Sequence, residues 1–194
     1  MINGIDVSHN NGAINWAAVR RAGCQFAIIR IGYGKGHLDK NFYNNVNGAL
    51  SQGLKIGIYH YSYALNVADA KKEAGFILKT LKQCGLSPDK LPLGIYYDME
   101  DADGYKFKNG MPTKQVITNM CSVLVNALWG AGYTAGIYAN NDWLDNHIDY
   151  TQLGGCALWL AQPSGSKPKR ECTIWQYTFN EKISGKTFDG DFLM

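Results

Sequence analysis

Charge is scarce in this chain. Asp, Glu, Lys and Arg supply only 18% of its 194 residues, whereas hydrophobic residues reach 46%. That balance excludes an intrinsically disordered chain, which needs the reverse. The length suits one domain, spanning residues 1–194, able to bury a sizeable core. Basic runs are missing too. The net charge is +3, and cations gather only in a short loop at 167–170, so a nucleic-acid partner has no electrostatic footprint. No apolar stretch reaches membrane-spanning length, and no membrane partner is expected. The opening "MINGIDVSH" reads at once as a strand, with no basic segment leading into an apolar export segment.

Metal and redox motifs are also absent. The five cysteines (Cys24, Cys84, Cys121, Cys156, Cys172) contain no CxxC pair and sit mostly among apolar neighbours. Free buried thiols are the expectation, which fits folding in a reducing compartment. The histidines His9, His37, His60 and His147 show no i, i+4 pair and no cysteine at ligand spacing. Neither a metal nor another cofactor is expected. "GYGKG" at 32–36 lacks the Lys-Ser/Thr of a phosphate loop, and Ser8-His9 lacks a G-x-S-x-G elbow. "DMEDAD" lacks the alternation and the glycine of an EF-hand calcium loop.

What is present is repetition of strand and helix. Runs rich in β-branched and aromatic residues fall at 2–8, 25–31, 55–61, 93–99 and 134–139. Helical periodicity lies between them. Asn15 and Asp39 are positioned to cap helices that Gly23 and Gly53 end. Asn66 opens a run to residue 84, Thr113 opens another, and a short helix is expected at 141–147. Three further strands, at 157–161, 173–177 and 188–192, are joined by connectors that read as too short for helices and suit antiparallel hairpins. The pattern predicts an α/β fold, a modified TIM-like barrel of five β/α units followed by three strands without helices. An open doubly wound sheet explains the helix-free end less well.

In such a barrel the chemistry collects at the C-terminal ends of the strands. Read in order, those ends are Asp6, Tyr33, His60/Tyr61/Tyr63, Asp98/Glu100, Tyr138/Asn140, Trp159/Gln162, Trp175/Gln176/Tyr177 and Asp189/Asp191. Flat rings suit the C–H faces of pyranoses, and amides and carboxylates suit their hydroxyls, so the set reads as a sugar cleft. Asp98 and Glu100 are two residues apart on a strand and point the same way. Their repulsion in a partly dry site raises a pKa and keeps one acid protonated, the state glycosidic cleavage uses. A solvated turn or a cation site is the plainer reading of two acids at a strand end. Trp159 could equally fill the barrel core.

The ordered segments "GIDVSHNNGAINW", "FAIIRIGYG" followed by Asp39, "GIYHYSYA", "YYDMED", "GIYAN", "LWLAQ" and "IWQYT" resemble the motifs of family 25 glycoside hydrolases, the Chalaropsis-type lysozymes (N-acetylmuramidases). The resemblance spans essentially the whole chain. It implies a barrel of five β/α units plus three strands, and hydrolysis of the β-1,4 bond between N-acetylmuramic acid and N-acetylglucosamine in the glycan strands of peptidoglycan. It carries catalytic roles onto Asp6, Asp98, Glu100 and Asp189, with Glu100 as general acid and Asp98 stabilising or orienting. "FDGDFL" departs from the family's commoner V-D-x-N ending, so Asp191 competes with Asp189 for the last role. Tyr33, Tyr61, Tyr63, Tyr138, Trp159, Gln162, Trp175, Gln176 and Tyr177 are the expected sugar contacts. The expected site of action is the bacterial cell wall, reached by holin-dependent release of a phage endolysin or as a trimmed secreted enzyme. A C-terminal wall-binding module would lie beyond residue 194. The alternatives are a family 18-type chitinase, although Tyr96 stands where that motif begins with aspartate, and a non-catalytic wall-binding barrel.

Overall fold

The computed structural model describes residues 1–163 and 166–194. Strands and helices alternate as β1 (Ile2–Val7), α1 (Trp16–Arg21), β2 (Phe26–Tyr33), β3 (His37–Leu38), α2 (Phe42–Ser51), β4 (Lys55–Tyr61) and α3 (Val67–Gln83). They continue through β5 (Ile95–Asp98), α4 (Tyr105–Lys108), α5 (Lys114–Gly130), β6 (Ala135–Asn140), α6 (Asn141–Asn146), β7 (Ala157–Ala161), β8 (Ile174–Ile183) and β9 (Lys186–Leu193). The sheet runs β1-β9-β8-β7-β6-β5-β4-β2-β3, and β1 also pairs with β2. Eight strands therefore close a barrel, and the two-residue β3 only folds back on β2. The expected modified barrel is the observed one.

Its last third differs in one respect from the hairpins expected. Only β8–β9 form a hairpin, and β9 closes antiparallel on β1, whereas β7 and β8 are parallel. A parallel pair needs a crossover of roughly a dozen residues, and the segment from 162 to 173 has that length without a helix among its described residues. The caps follow the sequence at Asn15, Asn66 and Thr113, whose side chains accept from Ala18, Asp69 and Val116 N–H. Asp39 is the exception. The residue at the helix start is Asn41, and Asp39 is buried behind it with other partners. All five cysteines are unpaired, with Cys24, Cys121 and Cys156 buried. No helix among the described residues is long and apolar enough to cross a membrane.

Strand alternation sorts the side chains into two cores. One face of β1, β2 and β4–β7 packs against the helices through Ile5, Val7, Ile29, Ile58, Ile95, Tyr97, Ile137 and Leu160. The other face fills the barrel with Phe26, Ile28, Tyr59, Tyr96, Tyr138, Trp159 and Ile174. The lower end is plugged by Phe26, whose ring lies where a side chain on residue 4 would be. A Cβ on Gly4 would fall 2.5 Å from it, so glycine there is what lets the plug seat. The filled floor closes the barrel interior from below, and its upper end opens at the C-terminal mouth.

Candidate active site

The inward parity that supplies the plug also supplies the mouth. On β1 it leads from Gly4 to Asp6. On β5 it leads from Tyr96 to Asp98 and, just past the strand, to Glu100. On β8 it selects Gln176, and on β9 it selects Asp189 and Asp191. Neighbouring strands bring these residues level. Asp6 is paired with Asp189 across β1–β9, and Asp98 sits between Tyr61 of β4 and Tyr138 of β6. On β2 a register shift between Arg30 and Gly32 skips one residue, so Arg30 and Tyr33 both line the mouth although their spacing is odd.

The result is a cavity of about 310 Å³ walled by Asp6, Asp98, Glu100, Asp189, Tyr61 and Gln176, among others, with Tyr138 and Trp159 beneath. A second hollow of about 450 Å³ continues from it past Arg30 and Tyr61 to Tyr33, Tyr63 and Asp103. Its aromatics are mutually braced. Tyr63 meets Tyr61, Tyr33 and Tyr105 at ring-centroid separations of 5.2, 6.2 and 4.8 Å. Its hydroxyl donates to Asp103 at 2.5 Å. Rings held this way present fixed faces at little entropic cost.

The carboxyl groups fall into two sets. In the first, burial pushes Asp98 well above the carboxylate range, and the neighbouring Glu100 charge adds to it. Burial raises Glu100 as well, opposed by the Lys106 ammonium. The two titrate as one unit. Asp98 lines the cavity, and its Oδ1 is buried without a hydrogen-bond partner in the protein. In the second set, burial and the Asp189 charge raise Asp6 to about 8. Burial also raises Asp189, and it raises Asp191 further. Gln176 Nε2 donates to Asp6 at 2.7 Å, and Trp159 Nε1 donates to Asp191 at 2.8 Å. Asp191 is completely buried, and its other oxygen faces no N–H donor. A protonated Asp191 resolves that, because it donates to Asp6 and so works against the rise at Asp6.

Most of the residues singled out by sequence meet at this mouth. Asp6, Asp98, Glu100, Asp189, Tyr61, Tyr138, Trp159 and Gln176 line the first cavity, and Tyr33 and Tyr63 line the second. Asp189 is a wall residue, whereas Asp191 lies beneath as a partner of Trp159. Trp175 and Tyr177 line neither cavity. They flank the inward Gln176 and therefore point outward, where both rings pack on Phe192. Gln162 lies to one side, accepting from Asn141 at 2.9 Å and lining a separate hollow with Lys167, Lys169 and Arg170. Trp159 is 1% exposed, so it is both barrel core and cavity floor.

Sequence reasoning passed over the cations. Arg30 lines both cavities. Its Nε donates at 2.9 Å to Asp39, whose burial alone would raise it but whose donors (His9, Asn41 and Arg30) hold it below the usual range. A lone arginine inside "FAIIRIGY" was the available signal. Lys106, in the short α4, is 1% exposed beneath the Asp98–Glu100 strand end. His60 is buried against the Gly34 carbonyl, and burial depresses it to about 3, so it is a neutral structural ring. Among the described residues, no group of three or more His, Cys, Asp and Glu side chains is arranged to hold a metal ion.

Residues 5–186 match the family model described as Glycosyl hydrolases family 25. Lysozyme M1 of Streptomyces globisporus is 28% identical over 200 residues, covering 98% of this chain and 66% of that protein. The autolytic lysozyme of Clostridium acetobutylicum is 24% identical over 190 residues, covering 97% of this chain and 54% of its own. The chain thus spans between about half and two thirds of the length of these curated relatives. Among solved structures, the modular autolysin LytC of Streptococcus pneumoniae, in complex with a synthetic peptidoglycan ligand, superposes with a TM-score of 0.85. It is 24% identical, over 98% of this chain and 46% of that one.

Proposed function

The chain belongs to glycosyl hydrolase family 25, and from that membership we propose that it is a peptidoglycan hydrolase cleaving the β-1,4 bond between N-acetylmuramic acid and N-acetylglucosamine. One observation carries the reading: Asp98 and Glu100 share a proton-raising environment at a strand end, inside a cavity whose remaining walls are carboxyl, amide and aromatic. Glu100 is the less buried of the two and one methylene longer, so it is the group able to reach a departing glycosidic oxygen with a proton. Asp98 is fixed deeper. Its carboxyl, at the cavity wall and with one oxygen unpartnered in the protein, suits an N–H donor from the substrate, such as a 2-acetamido group, or the positive charge that develops at the anomeric carbon. Asp6 and Asp189 close the opposite wall. The aromatic hollow beyond Arg30 and Tyr61 gives the rest of a glycan strand a place to lie.

The relatives' longer chains make wall attachment through a further module part of the same proposal. The chitinase alternative draws no support from the site, since Tyr96 is packed in the barrel core at 1% exposure. The test is digestion of purified bacterial walls followed by reducing-end analysis. New reducing ends on N-acetylmuramic acid are expected. Ends on N-acetylglucosamine, or no cleavage by folded protein, would reject the reading.

A further inference from the structure

Lys106 occupies an unusual position. It lies on the four-residue α4 after the acidic loop, yet its side chain turns inward and is almost wholly buried. Its Nζ donates to the Ser62 carbonyl at 2.5 Å and to the Glu100 carbonyl at 2.7 Å. Ser62 directly follows β4, and Glu100 follows β5 by one residue. One ammonium thus ties together the backbones of two adjacent strand ends, those that carry Tyr61 and Asp98. The rings of Tyr61 and Trp143 lie 5.7 and 5.8 Å from Nζ, facing the cation with their π systems. The lysine is itself held from its own loop, where Asp101 accepts from the N–H groups of Lys106 and Phe107.

A buried lysine is costly unless it is compensated. Burial draws Lys106 down from the ordinary lysine range, and four carboxyl groups resist that: Asp98, Asp101, Glu73 and Asp103. Glu73 reaches it from α3, where it accepts from Ser62 Oγ, Tyr63 N–H and Tyr97 OH. Cys121 of α5 lies within its field as well. For packing alone a methionine or leucine would fill the same space more cheaply, so the retained charge calls for a role of its own.

We propose that Lys106 is a positioning residue for the acid pair: it fixes the backbone from which Glu100 projects, and its ammonium charge sets the pH range in which the pair holds one proton. The inference rests on the reading of Asp98 and Glu100 as the working pair. Its consequence has a definite sign. The ammonium favours the ionised forms of both carboxyls, so removing the charge raises both of the pair's apparent pKa values. Both limbs of the pH–rate profile then move to higher pH.

The experiment measures wall cleavage against pH, with kcat, KM and thermal melts, for Lys106→Gln, Lys106→Arg and a Glu100→Gln reference. Glutamine keeps N–H donors for the two carbonyls but no charge. It should lower kcat about tenfold to a hundredfold, the scale of a small misplacement, with KM little changed and both limbs displaced upward. Arginine keeps the charge, and its profile should stay at the wild-type pH even where its bulk lowers kcat. A folded Lys106→Gln protein with an undisplaced profile overturns the proposal. Should the glutamine variant not fold, the arginine variant decides, because a displaced profile with the charge retained also overturns it. An active Glu100→Gln enzyme would instead reject the pair itself, whatever Lys106 does, so the two failures are distinguishable.

Discussion

The two acid groups at the barrel mouth solve the same electrostatic problem in opposite ways. Asp98 and Glu100 are backed by cations, with Lys106 behind both and Arg30 also lowering Asp98. Asp6, Asp189 and Asp191 on the facing wall have only neutral donors, Gln176 and Trp159. Burial remains the larger influence and raises both carboxyls against that opposition. On the facing wall burial meets no cationic opposition of that kind, and it raises Asp191 well above the carboxylate range and Asp6 to about 8. The difference is that a cation lies in reach of the acid pair proposed to move a proton, and neutral donors alone serve the facing wall.

The sharpest test of that contrast is Glu100→Gln. It removes the mobile proton while keeping size and hydrogen bonding, and wall clearing should fall by about 10²–10⁴-fold. The melting temperature should hold or rise, since one of two repelling acids is gone. A variant that melts normally and keeps more than a tenth of wild-type activity would remove Glu100 from the reaction. Asp98→Asn should follow with a loss on the order of 10²–10³-fold, because the anionic partner of the developing positive charge disappears. In that variant the pH–rate profile should lose its acidic limb, which Glu100→Gln cannot show.

On the facing wall the expected losses are smaller and unequal. Asp189→Asn should slow cleavage by roughly tenfold to a hundredfold, because Asp189 lines the cavity. Asp191→Asn should cost less, since Asp191 lies beneath the wall and an amide can still donate to Asp6 while accepting from Trp159. Cleavage rates for the two proteins, each normalised to its folded fraction, make the comparison. Equal losses would mean that the buried residue communicates with the reaction as directly as the exposed one.

How far the sequence could be read depends on which physical rule governs each residue. Period-two alternation and strand-end position were enough to bring Asp6, Asp98, Glu100, Tyr61, Tyr138 and Gln176 to one mouth, because both rules are local. The same alternation explains the misplacement of Trp175 and Tyr177. All three residues of "WQY" were expected to contact sugar, whereas adjacent positions on a strand face opposite ways. The parallel pairing of β7 with β8 is set by barrel closure, a global condition invisible in a connector's composition. Lys106 was hidden differently. "YKFK" after an acidic run looks like a solvated helix end, and only the packing of Trp143 and Tyr61 around its side chain shows that one lysine faces inward while Lys108 stays exposed.

The smallest expected effect is on stability against pH, and it probes the cation-free wall by itself. Asp6 has a folded-state pKa of about 8 against an ordinary 3.8, so the folded protein holds a proton there that the unfolded chain has already lost. Stability from this group is fully present below about pH 4 and disappears as pH rises through about 8. Asp39 contributes with the opposite sign. Its value is lowered in the fold, so its stabilisation is present above the unfolded value and lost as pH falls. Melting temperature should therefore decline from mildly acidic toward alkaline pH, and Asp6→Asn, which cannot titrate, should flatten that decline. The gain over wild type at pH 8 should be on the order of a few kcal/mol at most, or several degrees in a domain of this size. Thermal melts of the two proteins at half-unit steps from pH 4 to pH 9 measure it. If Asp6→Asn keeps the wild-type slope, Asp6 is ionised in the folded protein at neutral pH, and the wall opposite Glu100 carries a negative charge rather than a stored proton.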